Sequence, residues 1–122
     1  MTKTKPYPKW LEKLIDEKSA VLFKAHTLTE MGMGETAIPL WQSAAAYEER
    51  LAPLVEATGR ELEAAVHRIS AGSCYQRAGE WGRALNLYRA ALAGPLRKET
   101  RRDVERFAAE CLARLTAAGR AG

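Results

Sequence analysis

Strand patterns, long apolar runs and cysteine clusters are all scarce in this chain of 122 residues. No segment alternates apolar and polar residues over strand length, so the sequence does not predict a β-sheet. No apolar run approaches the roughly 18 residues of a membrane-spanning helix, and the N-terminal MTKTKPYPKW lacks a signal-peptide core. These absences favour a cytoplasmic protein with no membrane partner.

The two cysteines exclude a disulfide framework and a zinc site built on C-x-x-C pairs. Cys74 and Cys111 both fall on apolar positions of helical patterns, so we expect buried free thiols. The stretch M-G-M-G at 31–34 lacks the lysine and the preceding strand of a phosphate-binding loop. We therefore predict no enzyme and no cofactor.

Two pairs of a histidine and a glutamate, each four residues apart, could share a helix face with a metal. They are His26 with Glu30 and Glu63 with His67. Their spacing is not the Glu-x-x-His of di-metal helical bundles, and such pairs are common by chance. We expect surface histidines with local hydrogen bonds and predict no metal site.

Apolar residues recur at intervals of three and four along five segments, which predicts five amphipathic helices in one domain. Gly and Pro mark the breaks between them, and Pro53 predicts a kink or an early end near residue 52. The predicted helices cover residues 10–31, 35–52, 59–78, 81–93 and 97–117. The domain spans 9–118, between a flexible lead-in at 1–8 and a frayed tail at 119–122.

Small and large apolar residues recur along the chain at a fixed offset of 47 residues, which indicates a helical repeat. Small residues are expected where helices approach closely, and large ones where the spaces between helices are filled. The corresponding pairs are Ala25 and Gly72, Leu28 and Tyr75, Gly32 and Gly79, Ala37 and Ala84, Trp41 and Tyr88, and Ala44 and Ala91.

The second unit, ISAGSCYQRAGEWGRALNLYRAALAGP at 69–95, resembles a tetratricopeptide repeat. The family's small, aromatic, glycine and proline positions are filled by Gly72, Tyr75, Gly79, Ala84, Tyr88, Ala91 and Pro95. The match over 65–95 is closer than that over 18–51, where Leu28 and Trp41 stand at the aromatic positions and no proline closes the unit. The offset exceeds the family's usual period of roughly 34 residues and is nearer to its long-helix variants.

The resemblance implies an all-α, five-helix, right-handed superhelix of two helical hairpins with a C-terminal capping helix. A simple five-helix bundle with the same buried faces is the alternative. The family's members act as adaptors or scaffolds, so the resemblance implies a non-catalytic module that binds a peptide or helix of a partner protein. In this family the first helices of the repeats line a concave face. The residues implied there are Leu22, His26, Thr29, Glu30, Ile69, Ser73, Gln76 and Arg77.

A second interpretation uses the basic start of the fifth predicted helix to contact nucleic acid. The net charge is +4, and a patch there comprises Arg97, Lys98, Arg101 and Arg102. Interleaved acidic residues favour local ion pairs over a phosphate track, and no aromatic residues for base stacking lie nearby. Open helical repeats also expose their ends, so a homo-oligomer is possible and is compatible with the adaptor role.

Overall fold

The computed structural model describes residues 6–121, and this part of the chain contains five α-helices and no strand. The prediction of an all-α chain is thereby confirmed for these residues; residues 1–5 of the predicted lead-in and residue 122 of the predicted tail lie outside them. No helix in this range has a segment long and apolar enough to cross a membrane. The helices are α1 (Lys9–Glu30), α2 (Gly34–Glu56), α3 (Glu61–Arg77), α4 (Trp81–Leu92) and α5 (Lys98–Ala121).

The corners after α1 and α3 have the same backbone structure, 47 residues apart. Gly32 and Gly79 both have a φ of 79°, in the left-handed region that glycine adopts without strain. After each glycine, the amide of the next residue donates to a carbonyl five residues back, Met33 to Leu28 and Glu80 to Tyr75, at 2.9 Å. Together with the bond from each glycine amide, this closes a Schellman motif at both helix ends.

The second helix does not end near residue 52, so that prediction is wrong: α2 continues through Pro53 to Glu56. Proline removes one backbone hydrogen bond within the helix, but the Ala57 amide still donates to the Pro53 carbonyl at 3.0 Å. Leu51, Ala52 and Val55 around this point are all buried. Packing of the helix against its neighbours therefore outweighs the cost of the proline.

Each helix packs against the next in the chain. Individual side-chain contacts also connect the odd-numbered helices. At one end, Tyr7 before α1 hydrogen-bonds to Glu63 in the first turn of α3. At the other end, Arg77 of α3 lies over the ring of Trp41, which also contacts His26 of α1. Contacts at both ends set α1 and α3 side by side and parallel.

The same relation holds between α3 and α5. Near their starts Val66 and Thr100 line one cavity, and further along Gln76, near the end of α3, hydrogen-bonds to Glu110 in the middle of α5. The helices α1, α3 and α5 thus form a row, with α2 and α4 packed between successive members.

The core combines small residues with three large buried rings, those of Trp41, Tyr75 and Tyr88. Ala25, Ala37, Ala84 and Gly72 are buried around Trp41 and Tyr88. Not all predicted apolar positions are covered, however: Leu112 and Leu115 of α5 and Leu62 and Val66 of α3 are exposed. Because α4 has 12 residues and α5 has 24, the last turns of α5 extend beyond the helix that buries its first half.

Candidate functional site

A cleft of about 420 Å³ lies between the C-terminal half of α3 and the middle of α5. Side chains of both helices form its walls, and two aromatic residues of α4 contribute to its base. The residues that line it are Ser73, Gln76, Arg77, Trp81, Tyr88, Phe107, Glu110 and Arg114.

A chain of hydrogen bonds fixes the polar groups at the bottom of this cleft. The buried Tyr88 hydroxyl donates to Gln76 Oε1 at 2.8 Å, and Gln76 Nε2 in turn donates to Glu110 Oε2 at 3.3 Å. Burial raises the pKa of Tyr88 far above its ordinary value, so the phenol keeps its proton and remains a donor. The ring of Phe107 lies 5.7 Å from that of Tyr88 and extends the aromatic surface.

Two arginines flank the cleft, each placed over a tryptophan ring. The Arg77 guanidinium carbon lies 4.7 Å from the ring centre of Trp41, and that of Arg114 lies 5.0 Å from the ring centre of Trp81. Cation–π attraction of this kind fixes a guanidinium without neutralising its charge. The described residues contain no carboxylate within ion-pair distance of either arginine.

The first unit repeats the aromatic-to-polar hydrogen bond of the second. Trp41 Nε1 donates to Thr29 Oγ1 at 3.1 Å, as the Tyr88 hydroxyl does to Gln76, and both partners are shifted by 47 residues. Thr29 Oγ1 also donates to the Ala25 carbonyl at 2.8 Å. The edge of His26 packs against Trp41 with ring centres 4.7 Å apart.

The structure brings together some of the predicted partner-binding residues and not others. Ser73, Gln76 and Arg77 meet in the cleft, and His26 and Thr29 gather at Trp41. The other three predicted partner-binding residues lie in different surroundings. Leu22 and Ile69 pack partly against the core, whereas Glu30 is exposed at the end of α1.

More than half of the cleft was not predicted, because its residues come from α4 and α5. Five of the eight lining residues, Trp81, Tyr88, Phe107, Glu110 and Arg114, were not assigned to a binding surface. The spacing of 107, 110 and 114 places these three on one face of α5, which is a signal available in the sequence. What the sequence does not show is that this face lies opposite α3.

A second cavity of about 370 Å³ lies at the N-terminal end of the same α3–α5 interface. Its lining has three aliphatic residues, Leu62 and Val66 of α3 and Leu96 just before α5, and three polar or charged residues, Glu63, Arg97 and Thr100. The α3–α5 groove, defined as these two cavities and the surface between them, thus has an aromatic and cationic end and an aliphatic end.

The predicted basic patch does not present four free cations. The Arg101 guanidinium donates to the carbonyls of Leu92 and Gly94, at 2.8 and 3.0 Å, and so is bound to the C-terminal end of α4. Arg97 lines the aliphatic cavity, and Lys98 and Arg102 are exposed on α5.

Among the described residues, neither predicted pair has a hydrogen bond between its histidine and its glutamate. His67 Nδ1 lies 3.1 Å from Oε1 of the buried Glu48, while Glu63 accepts a hydrogen bond from Tyr7. No group of three potential metal ligands occurs among the described residues.

Both cysteines are free and buried, as predicted. Burial raises the pKa of Cys74 to about 12 and also raises that of Cys111. Both thiols therefore remain protonated near neutral pH, which disfavours them as nucleophiles.

Comparisons with known proteins gave no match. A scan against protein-family models found none, and searches of curated proteins and of solved structures found none either.

Proposed function

We propose that this protein is a non-catalytic interaction module that binds a peptide or helix of a partner protein along its row of odd-numbered helices. In this proposal the chain is a right-handed superhelix of two tetratricopeptide-like hairpins, with α5 as the capping helix. It would act as an adaptor or small chaperone-like subunit in the cytoplasm, a reducing compartment that suits its two free thiols.

The α3–α5 groove is the observation that carries the proposal. Its exposed surface combines aromatic rings, aliphatic side chains and a few oriented polar groups, a composition typical of peptide-binding grooves. Hydrogen bonds and ring contacts hold Gln76, Arg77 and Tyr88 in place before any partner arrives. Little side-chain entropy is then lost on docking, which favours binding.

The hydrogen-bonding pattern at the bottom of the cleft also favours binding over catalysis. Tyr88 and Gln76 are donors to neighbouring protein groups, and the high pKa of Tyr88 leaves it unable to act as a base near neutral pH. Gln76 has no titratable group and Tyr88 keeps its proton, so these two side chains can position a ligand but cannot accept a proton.

Affinity capture with matched surface variants tests the proposal. The wild-type protein, Arg77→Glu and the control Arg89→Glu are immobilised, and captured proteins from the source cell are quantified by mass spectrometry. Arg89 is exposed on α4 outside the groove. We expect a partner that is retained by the control and lost with Arg77→Glu. Thermal stability should change only modestly, because the lost contact with Trp41 is made by an exposed side chain.

The result that rejects the groove is a partner captured equally by all three proteins. Gln76→Ala should also weaken capture, but Gln76 accepts the hydrogen bond of a buried tyrosine, so this variant carries a stability cost. Arg77→Glu, on an exposed side chain, separates binding from folding more cleanly.

A further inference from the structure

The cationic end of the α3–α5 groove has more positive than negative charge. Arg77 and Arg114 line it together with one carboxylate, Glu110, which already accepts a hydrogen bond from Gln76. The two guanidinium groups lie over Trp41 and Trp81, so their faces are occupied while their N–H edges remain available. Guanidinium edges of this kind bind carboxylates through paired, charge-assisted hydrogen bonds.

The other end of the groove offers apolar surface to a ligand. Leu62 is 52% exposed and Val66 is 56% exposed, which is unusual for aliphatic residues on a helix that is otherwise well packed. With Leu96 they form the apolar part of the cavity of about 370 Å³, whose other lining residues are Glu63, Arg97 and Thr100. The cavity is large enough for one or two aliphatic side chains and too small for a helix.

The separation of the two ends sets the spacing of a ligand. Ten residues of α3 separate Val66 from Gln76, which corresponds to about 15 Å along the helix axis. An extended peptide advances about 3.3 Å per residue, so four to five of its residues cover that distance. Ile69 lies between the two ends along α3, and Ser73 belongs to the cleft at the aromatic and cationic end.

We propose that the groove binds an extended peptide in which an acidic side chain and an aliphatic side chain stand four to five residues apart. The carboxylate lies between Arg77 and Arg114, and the aliphatic side chain enters the cavity at Leu62 and Val66. This assignment rests on the proposed function and adds to it the chemistry and register of the partner segment.

Synthetic peptides in fluorescence anisotropy test the assignment. The probe is a labelled peptide, acetylated and amidated at its termini, with the core Glu-Glu-Ser-Thr-Ser-Leu-Leu; a reversed core covers the opposite chain direction. In the matched control peptide both glutamates are replaced by glutamine. Blocked termini ensure that only side-chain carboxylates are tested.

One of the two glutamate probes, forward or reversed, should bind better than the other. We expect that probe to bind at least about tenfold more tightly than the peptide in which its glutamates are replaced by glutamine. The double variant Arg77→Gln with Arg114→Gln should remove that preference, and the control Arg89→Gln should keep it. Val66→Asp should weaken both probes, because it places a charge in the aliphatic cavity. Removing the Ser-Thr-Ser spacer altogether should also weaken binding, because the glutamates and leucines then stand at most three residues apart.

Two outcomes overturn the assignment. One is equal affinity for the glutamate and glutamine probes, and the other is a charge preference that persists in the double arginine variant. If the glutamine probe binds and Val66→Asp weakens it, the groove remains a peptide site and only the acidic partner is rejected. If no probe binds while affinity capture still depends on Arg77, the proposed register is wrong and the interaction module stands.

Discussion

Gly72 lies so close to Tyr88 that a Cβ atom at position 72 would stand 2.6 Å from Cε1 of the tyrosine ring. Real Cβ atoms do not approach other atoms at that distance, so the α3 backbone and the Tyr88 ring can be in contact only because residue 72 is glycine. In the first unit the equivalent pair is Ala25 and Trp41. The second hairpin is therefore packed more closely at this point than the repeat alone indicates.

Gly72→Ala should destabilise the protein. The added methyl forces the buried ring of Tyr88 or the backbone of α3 to move, and such overpacking costs about 1–3 kcal/mol. Alanine returns up to about 1 kcal/mol through its higher helix propensity, so we expect a net loss of about 1–2 kcal/mol in urea unfolding. Gly82→Ala is the control, since its Cβ meets no atom within 4 Å. A Gly72→Ala protein as stable as the control would contradict the close contact.

Two substitutions at Tyr88 should separate the contribution of its aromatic ring to stability from that of its hydroxyl. Tyr88→Phe removes the hydrogen bond to Gln76 and should cost about 1 kcal/mol, whereas Tyr88→Ala should cost about 3–5 kcal/mol as a buried aromatic is lost. Thermal and urea unfolding measure both. Equal effects of the two substitutions would show that the ring contributes little, and a negligible effect of Tyr88→Ala would remove it from the core.

The sequence predicts the helices and their corners well because local signals determine them. Glycines at 32 and 79 follow apolar series and take the left-handed conformation that ends α1 and α3. The end of α2 was predicted wrongly because proline is also a local signal. The burial of Leu51 and Val55 comes from neighbouring helices, and a single-sequence pattern does not include it.

The candidate site is less predictable, for a related reason. Helical periodicity identifies which face of α5 is apolar but not how far its neighbour extends, so it does not predict that Leu112 and Leu115 on that face are exposed. Ser73, Gln76 and Arg77 could be assigned to a binding surface by family resemblance. Their opposite wall on α5 depends on helix alignment, which the sequence does not encode locally.

Glu48 should make the stability of the fold depend on pH. Its carboxylate is 2% exposed and lies 3.4 Å from Lys18 Nζ and 3.1 Å from His67 Nδ1, joining α1, α2 and α3. Burial alone would raise its pKa, but the hydrogen bond with His67 and the charge of Lys18 outweigh burial and lower the pKa below 4.5. A lowered pKa in the folded state stabilises the fold above pH 4.5, and this contribution is lost as the pH falls through the folded-state value.

Chemical unfolding of wild type and Glu48→Gln at pH 7, 5, 4 and 3 measures this contribution. At pH 7 the substitution should cost about 3 kcal/mol, since it removes one member of a buried charged cluster. The difference between the two proteins should shrink as the pH falls below 4.5. Glu56→Gln is the comparison, because Glu56 also has a lowered pKa, from Arg68, but is exposed and screened by water. A constant difference across the pH series would contradict the assignment.

Arg101 should stabilise the junction between α4 and α5 instead of serving as part of a cationic surface. Its guanidinium donates to the carbonyls of Leu92 and Gly94, which lie at the end of α4 and have no partner further along that helix. Arg101→Ala should therefore cost about 2 kcal/mol in urea unfolding, and Arg101→Lys should recover only part of that, because an ammonium does not reproduce the planar fork. Arg102→Ala, one residue on and exposed, should leave stability unchanged. If Arg101→Ala and Arg102→Ala are equally stable, and both weaken binding to a double-stranded DNA probe in a salt-dependent way, the basic patch and not the groove is the working surface.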